Sequence, residues 1–210
     1  MTSVVEISNR ALSYLGNKRI NQIDADTNEA RACNLHFAPC RDDLLERHEF
    51  HFGVARAALA ALATNPRPKE WKYAYGRPSF SYTILSVFDV DTGPTDPPSP
   101  YLMEGSVIYS NIKNANIAYS GASEDPGLWS ATFRTALAWE LASAIAMSLT
   151  EDTQRARAAS DMARSKFTTA VSHDLRTRAA MQSYTRMSPA IIARLGLTSP
   201  GAFYKYENAI

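Results

Sequence analysis

The spacing of apolar residues changes twice along this chain, and that change constrains the fold more than any single motif does. Up to about residue 68 and again from about residue 121, apolar residues recur every three or four positions, as on one face of an α-helix. Residues 69–119 instead follow a period near two, with β-branched and aromatic residues grouped between turn formers. The pattern predicts an α+β, mainly α fold, in which a helical bundle of about four main helices carries an inserted small antiparallel β module.

The same pattern predicts how the chain is divided. Residues 1–68 and 121–183 form the helical bundle, residues 69–120 form the β insertion with a proline-rich loop, and residues 184–210 form a C-terminal docking segment. That last segment is rich in apolar and aromatic residues, for which a purely flexible tail has little use. It is expected either to pack back on the core or to dock on a partner.

Two helix starts are predicted in the first part of the chain. Ser3 and Glu6 have the spacing of a capping box, and Gly16 is placed to end the helix that follows. Asp26 and Glu29 repeat that spacing at the start of a second helix.

The second helix is expected to be long. Pro39 lies inside it and is expected to kink it, because proline removes a backbone donor. The segment VARAALAALATNP, residues 54–66, is expected to extend this helix or to form its last turns. The predicted apolar stripe comprises Ala30, Cys33, Phe37, Cys40, Leu44, His48 and His51.

Four strands are predicted in the middle of the chain, namely WKYAY, YTILSVFDV, EGSVIYSN and ANIAYS. A short polar turn at Lys113 and Asn114 joins the last two. Between the second and third strands lies DTGPTDPPSP, whose four prolines cannot pair into a sheet. We interpret that stretch as an exposed loop.

Helical spacing returns at Asp125 and Pro126, a favoured pair for a helix start. The segment FRTALAWELASAIAMSL is apolar nearly all round and is therefore expected at the centre of the bundle. Glu151 and Asp152 mark the start of a further, amphipathic helix with arginines outside. Its inward residues are predicted to be Ala156, Ala159, Ala163, Phe167, Ala170 and Val171.

Composition narrows the class of protein. No stretch reaches the roughly 18 uncharged apolar residues that span a bilayer, and the first residues lack the layout of a signal peptide. Cys33 and Cys40 are the only cysteines, and their spacing suits one helix face better than a disulfide framework. We therefore expect a protein that is used or assembled in a reducing cytoplasm, with no membrane partner.

Charge is unevenly distributed along the chain. Residues 1–152 carry 13 lysines or arginines and 18 acidic residues, whereas residues 153–210 carry nine and three. This asymmetry indicates that the C-terminal part faces an acidic partner, either protein or nucleic acid, or that the folded chain neutralises itself.

One group of side chains has the chemistry of zinc ligands. It comprises His36, His48, His51, Cys33 and Cys40. The segment RHEFHF, however, has its histidines three residues apart, where the helical metalloprotease pattern requires four. We interpret the group as core or partly buried helix residues and predict no metal.

Catalytic patterns are also missing from the sequence. There is no G-x-S-x-G elbow and no glycine-rich phosphate loop. Glu46 with Glu49 or Glu140 is a conceivable glycosidase pair, because such pairs form in space rather than in sequence. We predict no catalytic residue, no cofactor and no enzyme activity.

Several segments, taken in order, resemble the phage head-to-tail adaptor (connector) family. They are A-L-x-x-L-G at residues 11–16, an acidic turn at 24–26, A-x-x-C at 30–33, R-D-x-L-L-x-x-H at 41–48 and an aromatic pair at 50 and 52. WKYAY, EGSVIYSN, Asp125-Pro126 with Trp129 and Phe133, and LAWELASAIAMSLTED follow in the family's order. The resemblance covers roughly residues 3–180, with Phe50 where the family often has tryptophan. The last 25 residues match no part of the family pattern.

The resemblance implies a structural virion protein at the head-tail interface, assembled in the host cytoplasm. Its copies form a homo-oligomeric ring, typically a dodecamer, between the portal protein and the distal tail protein. Double-stranded DNA passes through the ring without specific binding. Portal binding is expected at Ile191, Ile192, Leu195, Phe203, Tyr204 and Tyr206, and distal-tail binding at Pro94, Pro97, Pro98 and Pro100.

Two other classes of function remain open from the sequence. The first is a tail-associated hydrolase of glycan or cell wall that uses the carboxylates named above. The second is a DNA-binding protein that uses the basic residues of the C-terminal helix. Those residues are Arg155, Arg157, Arg164, Lys166, Arg176, Arg178 and Arg186.

Overall fold

The structure, a computed structural model, describes residues 3–79, 81–91, 99–121 and 123–185, with side chains up to residue 179. The chain divides into two compact units, residues 1–171 and residues 172–210. In the described ranges there are four α-helices and two antiparallel three-stranded sheets. This is the α+β, mainly α fold that the sequence predicts.

The first helix is confirmed with both of its predicted ends. The backbone N–H of Glu6 donates to the Ser3 hydroxyl at 3.2 Å, and Gly16 ends the helix in the left-handed conformation with φ of 75°. Glycine adopts this conformation without the steric cost that a Cβ would bring. The helices are α1 (Val4–Leu15), α2 (Asn28–Arg47), α3 (Ala131–Thr150) and α4 (Thr153–Thr185).

The start of α2 differs from the prediction by one residue. The hydroxyl of Thr27, not the carboxylate of Asp26, accepts the hydrogen bond from the N–H of Ala30, at 3.2 Å. Asp26 instead pairs with Arg31 on the surface. A hydroxyl and a carboxylate both cap helices well, so spacing alone does not choose between adjacent candidates.

The end of α2 also differs, because the helix stops at Arg47 and His48 is extended, with φ of −151°. His48 and His51 therefore lie outside the helix whose stripe they were predicted to continue. A single 3-10 turn (His51–Gly53) follows, and residues 54–58 form a strand rather than more helix. Pairing with a neighbouring strand overrides the helix propensity of this alanine-rich segment.

All four predicted strands are present, and two more were not predicted. The strands pair in the orders β1-β6-β3 and β2-β5-β4. The turn at Lys113 and Asn114 is confirmed, with Asn114 at φ of 58°, but the strands it joins belong to different sheets. The strands are β1 (Val54–Ala58), β2 (Tyr73–Gly76), β3 (Ser81–Asp89), β4 (Tyr101–Glu104), β5 (Val107–Ser110) and β6 (Ala115–Gly121).

The central helix α3 begins later than predicted. Its N-cap is Ser130, whose hydroxyl accepts from the N–H of Phe133 at 3.2 Å. The predicted start at Asp125 and Pro126 is wrong, because Asp125 accepts instead from the N–H of Gly127 at 2.8 Å in a tight turn. The predicted central position is confirmed, since α3 packs against both α1 and α2 and most of its circumference is buried.

Two separate hydrophobic cores stabilise the first unit. The helical core joins α1, α2 and α3 with the first part of α4, including the predicted inward residues Ala159 and Ala170. The second core lies among the strands and contains residues of both sheets, such as Ile84 and Ile117 of one sheet and Tyr75 and Ile108 of the other. The two sheets are thus parts of one β module.

One extended run of chain pairs with strands of both sheets. Beyond β1, the N–H of Leu59 donates to the carbonyl of Ala115 in β6 at 2.9 Å. Further on, the N–H of Leu62 donates to Ala74 and Ala60 accepts from Gly76, both at 2.9 Å, so the run then pairs with β2. Residues 54–62 therefore connect the two sheets.

Candidate functional site

Most residues predicted to bind partners lie outside the described ranges. The predicted portal-binding residues Ile191, Ile192, Leu195, Phe203, Tyr204 and Tyr206 all lie beyond residue 185, and Pro94, Pro97 and Pro98 lie in the undescribed stretch 92–98. Pro100 is described and is exposed immediately before β4. It is thus the only predicted contact residue whose exposure the structure shows.

The cysteines of α2 are buried and free. Burial raises the pKa of the Cys33 thiol to about 11, and burial together with nearby Glu140 raises that of Cys40 to about 12. A thiol with so high a pKa is protonated at neutral pH and is neither a nucleophile nor a ready metal ligand. Across the described ranges, no three or more His, Cys, Asp or Glu side chains are grouped to hold a metal ion.

The histidines after α2 belong to an aromatic cluster. His48 meets the Phe50 ring edge-on at 4.7 Å between centroids, and Phe50 in turn contacts Phe133 of α3 at 4.9 Å. Phe52 also contacts Phe133, at 5.0 Å. Edge-to-face contacts of this kind stabilise a hydrophobic core. Through these contacts, the segment between α2 and β1 packs against the helical core.

A polar cluster connects three helices of the first unit. The guanidinium of Arg47 lies 2.8 Å from a carboxylate oxygen of Asp43, 3.5 Å from one of Glu140 and 4.3 Å from the centre of the Phe167 ring. Burial raises the pKa of Glu140, and the positive charge of Arg47 opposes that shift. Arg47 therefore holds α2, α3 and α4 together through an ion pair and a cation–π contact.

The carboxylates considered for hydrolysis have different surroundings. Glu140 is engaged by Arg47, whereas Glu46 is exposed on α2. A glycosidase uses two carboxyl groups on either side of a bound sugar. The arrangement around Glu140 is instead that of a structural ion pair.

Several of the basic residues on α4 are engaged within the chain. Arg155 donates to the carbonyl of Leu15 at 3.1 Å and pairs with Asp152 at 3.3 Å. Within the second unit, Arg178 pairs with Asp174 at 3.1 Å. Arg157 and Arg164 are exposed.

A cavity of about 290 Å³ that no sequence pattern predicted lies beside the start of β1. Its walls include the aromatic side chains of Phe52 and Tyr119 and the hydroxyl-bearing residues Ser79 and Ser123. Val54 and Ala55, at the start of β1, complete one side. Because the sequence predicts residues 54–58 as helix rather than strand, it gives no sign of this cavity.

β1 itself is an unusually exposed edge strand. Four of its five residues are exposed, and among the strands of the described ranges it pairs only with β6. Edge strands offer unpaired backbone N–H and C=O groups to other chains, and proteins commonly protect them with charges, prolines or bulges. The pairing of β1 with β6 runs without a bulge, and Arg56 is its single charged residue.

Among the described residues, no helix is long and apolar enough to cross a membrane. Comparison with known proteins finds no family model that matches this chain and no similar curated protein. A function for the chain therefore rests on its geometry and on its sequence.

Proposed function

We propose that this chain is a structural virion protein, a head-to-tail adaptor whose copies form a ring that joins the portal to the distal tail. The observation that carries the proposal is the ordered set of residues that resemble the adaptor family, from the A-L-x-x-L-G segment at residues 11–16 to LAWELASAIAMSLTED. In this role the protein acts by assembly and by lining part of the DNA channel, and it breaks no bond.

The positions of these residues support a scaffold rather than a reacting centre. Leu12 and Leu15 of the first segment are buried in the helical core, as are Cys33 and Leu44 of α2. Phe133 and the alanines of α3 belong to the same core. Residues at these places determine which helices pack together, and a family that shares them shares a helical framework.

The outer parts of the β module support contact with further proteins. The proline-rich stretch of the sequence falls between β3 and β4, and its last proline, Pro100, is exposed. In a closed ring of identical copies, neighbours meet through two different surfaces, so other faces stay available for the portal and the distal tail protein. The C-terminal segment is proposed to become ordered on the portal in a coupled binding step.

The mass of the purified chain, measured by light scattering alone and after mixing with the portal ring of the same virus, tests the proposal. We expect a saturable complex whose added mass is a whole multiple of 23.1 kDa, which gives the number of copies directly. A portal ring from an unrelated virus is the control and should bind none. A chain that never joins its own portal would contradict the adaptor function and direct attention to glycan hydrolysis.

A further inference from the structure

A joint of two residues, Glu151 and Asp152, connects α3 to α4. Glu151 ends α3 in the left-handed conformation, with φ of 52° and ψ of 18°. Glycine adopts this conformation freely, whereas the Cβ of any other residue strains the backbone there. Such strain persists only where contacts elsewhere in the fold impose it. The bend at Glu151 therefore depends on the contacts that α4 makes.

Hydrogen bonds next to the joint favour the bend directly. The Asp152 carboxylate accepts from the backbone N–H groups of Gln154 and Arg155, at 2.8 and 3.2 Å. The Arg155 guanidinium donates to the carbonyl of Leu15, at the end of α1, at 3.1 Å. On the side of α4, all of these bonds come from residues within about one turn of Glu151.

Further along α4, within the first unit, side chains pack on the other helices. The centre of the Phe167 ring lies 4.3 Å from the guanidinium carbon of Arg47 in α2 and 6.4 Å from the centre of the Phe50 ring. Ala159 and Ala170 are buried in the helical core. We call the surface on which these side chains pack, marked by Arg47 and Phe50, the α4 groove. Nothing in these contacts requires that α4 and the groove belong to the same chain.

The sequence across the joint suits an uninterrupted helix. No proline or glycine lies in residues 131–185, from the start of α3 to the end of α4, and glutamate is a good helix former. A right-handed Glu151 would join α3 and α4 into one helix. Because a helix rises about 1.5 Å per residue, Phe167 would then lie about 25 Å beyond Thr150 along the axis. In that form α4 cannot reach the α4 groove of its own chain.

We propose that copies of this chain exchange α4, so that α3 and α4 join at Glu151 into one helix and α4 of one copy occupies the α4 groove of a second copy. The exchange keeps the contacts of Phe167 and of the buried alanines, releases the strained conformation of Glu151 and gives up the bonds next to the joint. Exchange of an identical element is a low-cost route to oligomers, and a short strained hinge favours it. A second copy is the partner that fits, because its groove carries the same residues. The inference holds whether or not the chain is an adaptor.

Light scattering of the purified full chain, refolded from urea at micromolar to millimolar concentration without any portal, tests the inference. We expect oligomers in whole multiples of 23.1 kDa, in a fraction that rises with the concentration during refolding. Thr153→Pro should lower the association constant about a hundredfold, because proline suits the first position of α4 but breaks a continuous helix. Thr153→Ala is the matched control and should associate at least as strongly as the parent, because alanine favours helix.

Introduced cysteines show whether the oligomers arise by exchange. Chains with Arg47→Cys and chains with Phe167→Cys are refolded together and treated with a short bis-maleimide, to which the buried natural cysteines are not accessible. We expect linked pairs of chains on a denaturing gel, and we expect these pairs to disappear when both chains also carry Thr153→Pro. Either cysteine variant refolded alone is the control and should give no linked pair.

Three results would each overturn the proposal. They are a chain that stays monomeric at every concentration, oligomers that do not cross-link, and equal association of the Thr153→Pro and Thr153→Ala chains. The comparison of the Thr153 variants needs no introduced cysteine, so it decides the matter even if a cysteine variant fails to fold. A chain that fails these tests but joins its portal would be an adaptor without exchange, so the two proposals fail separately.

Discussion

The ring of Tyr14 in α1 lies flat on the indole of Trp139 in α3, with centroids 4.0 Å apart and planes inclined by 10°. Both residues are half-buried at the rim of the helical core. The stacked pair thus extends the contact between two helices to the protein surface.

Replacing Tyr14 with alanine is expected to lower the free energy of unfolding by about 1–2 kcal/mol, because it removes both stacking and buried aromatic area. The Tyr14→Phe variant keeps the ring, so its loss of unfolding free energy should be only a few tenths of the loss in the alanine variant. Urea unfolding followed by circular dichroism measures both. An alanine variant as stable as the parent would show that the stack contributes nothing.

The cysteines are expected to be inert in the folded chain. Because burial raises their pKa values to about 11 and about 12, almost no thiolate exists at pH 8. A chromogenic disulfide reagent should therefore label neither thiol in native buffer and both in denaturant. Rapid labelling of one thiol in the native protein is the contrary result.

The raised pKa of Glu140 determines in which direction the free energy of unfolding changes with pH. Its pKa is raised in the folded state, so the folded chain holds this proton more tightly than the unfolded chain does, and stability falls as pH rises through that window. Glu140→Gln is thus expected to raise Tm slightly at pH 7, with the gain disappearing near about pH 3.5, where the glutamic acid is neutral in both states. Glu46→Gln, at an exposed position of α2, is the control and should show no gain. A lower Tm for Glu140→Gln at pH 7 would mean that the pair with Arg47 outweighs burial.

Two adjacent residues, Asp26 and Thr27, are candidates for the residue that caps the start of α2, and mutation distinguishes them. Thr27→Ala should destabilise the chain by about 1 kcal/mol, because a helix N–H loses its acceptor. Asp26→Ala removes only an exposed ion pair and should cost no more than a few tenths of a kcal/mol. Thermal unfolding of the two variants side by side distinguishes them, and the reverse order of effects would reinstate Asp26 as the cap.

Two deletions are expected to separate the proposed partner contacts. A chain ending at Met187 should remain folded but fail to join portal particles. A chain that lacks the loop of residues 94–100 should join the portal and then fail to recruit the distal tail protein. Each deletion serves as the control for the other in sedimentation of the assembled particles. Normal joining by the truncated chain would remove the C-terminal segment from the proposal.

The helices were predictable from local signals except for the bounds of α2 and the start of α3, and the sheets were predictable only in part. Gly16 and the apolar circumference of α3 leave few alternatives to the observed helix end and to a central position. In contrast, Val54 and its alanine neighbours have no strand signal of their own, and they become a strand because β6 pairs with them. The outer edge of β1 was therefore not predictable from the sequence, nor was the meeting of Arg47 with Glu140, which depends on how three helices pack.

The run from residue 54 to residue 62 has a consequence for folding. A strand that slips by one residue exchanges its two faces. Because this single run pairs first with β6 and then with β2, a slip against one sheet is transmitted to the other. The two sheets therefore share one register, and neither can form correctly while the other is misaligned. Assembly of the β module is in this sense a single cooperative step, governed by nine residues of mostly alanine.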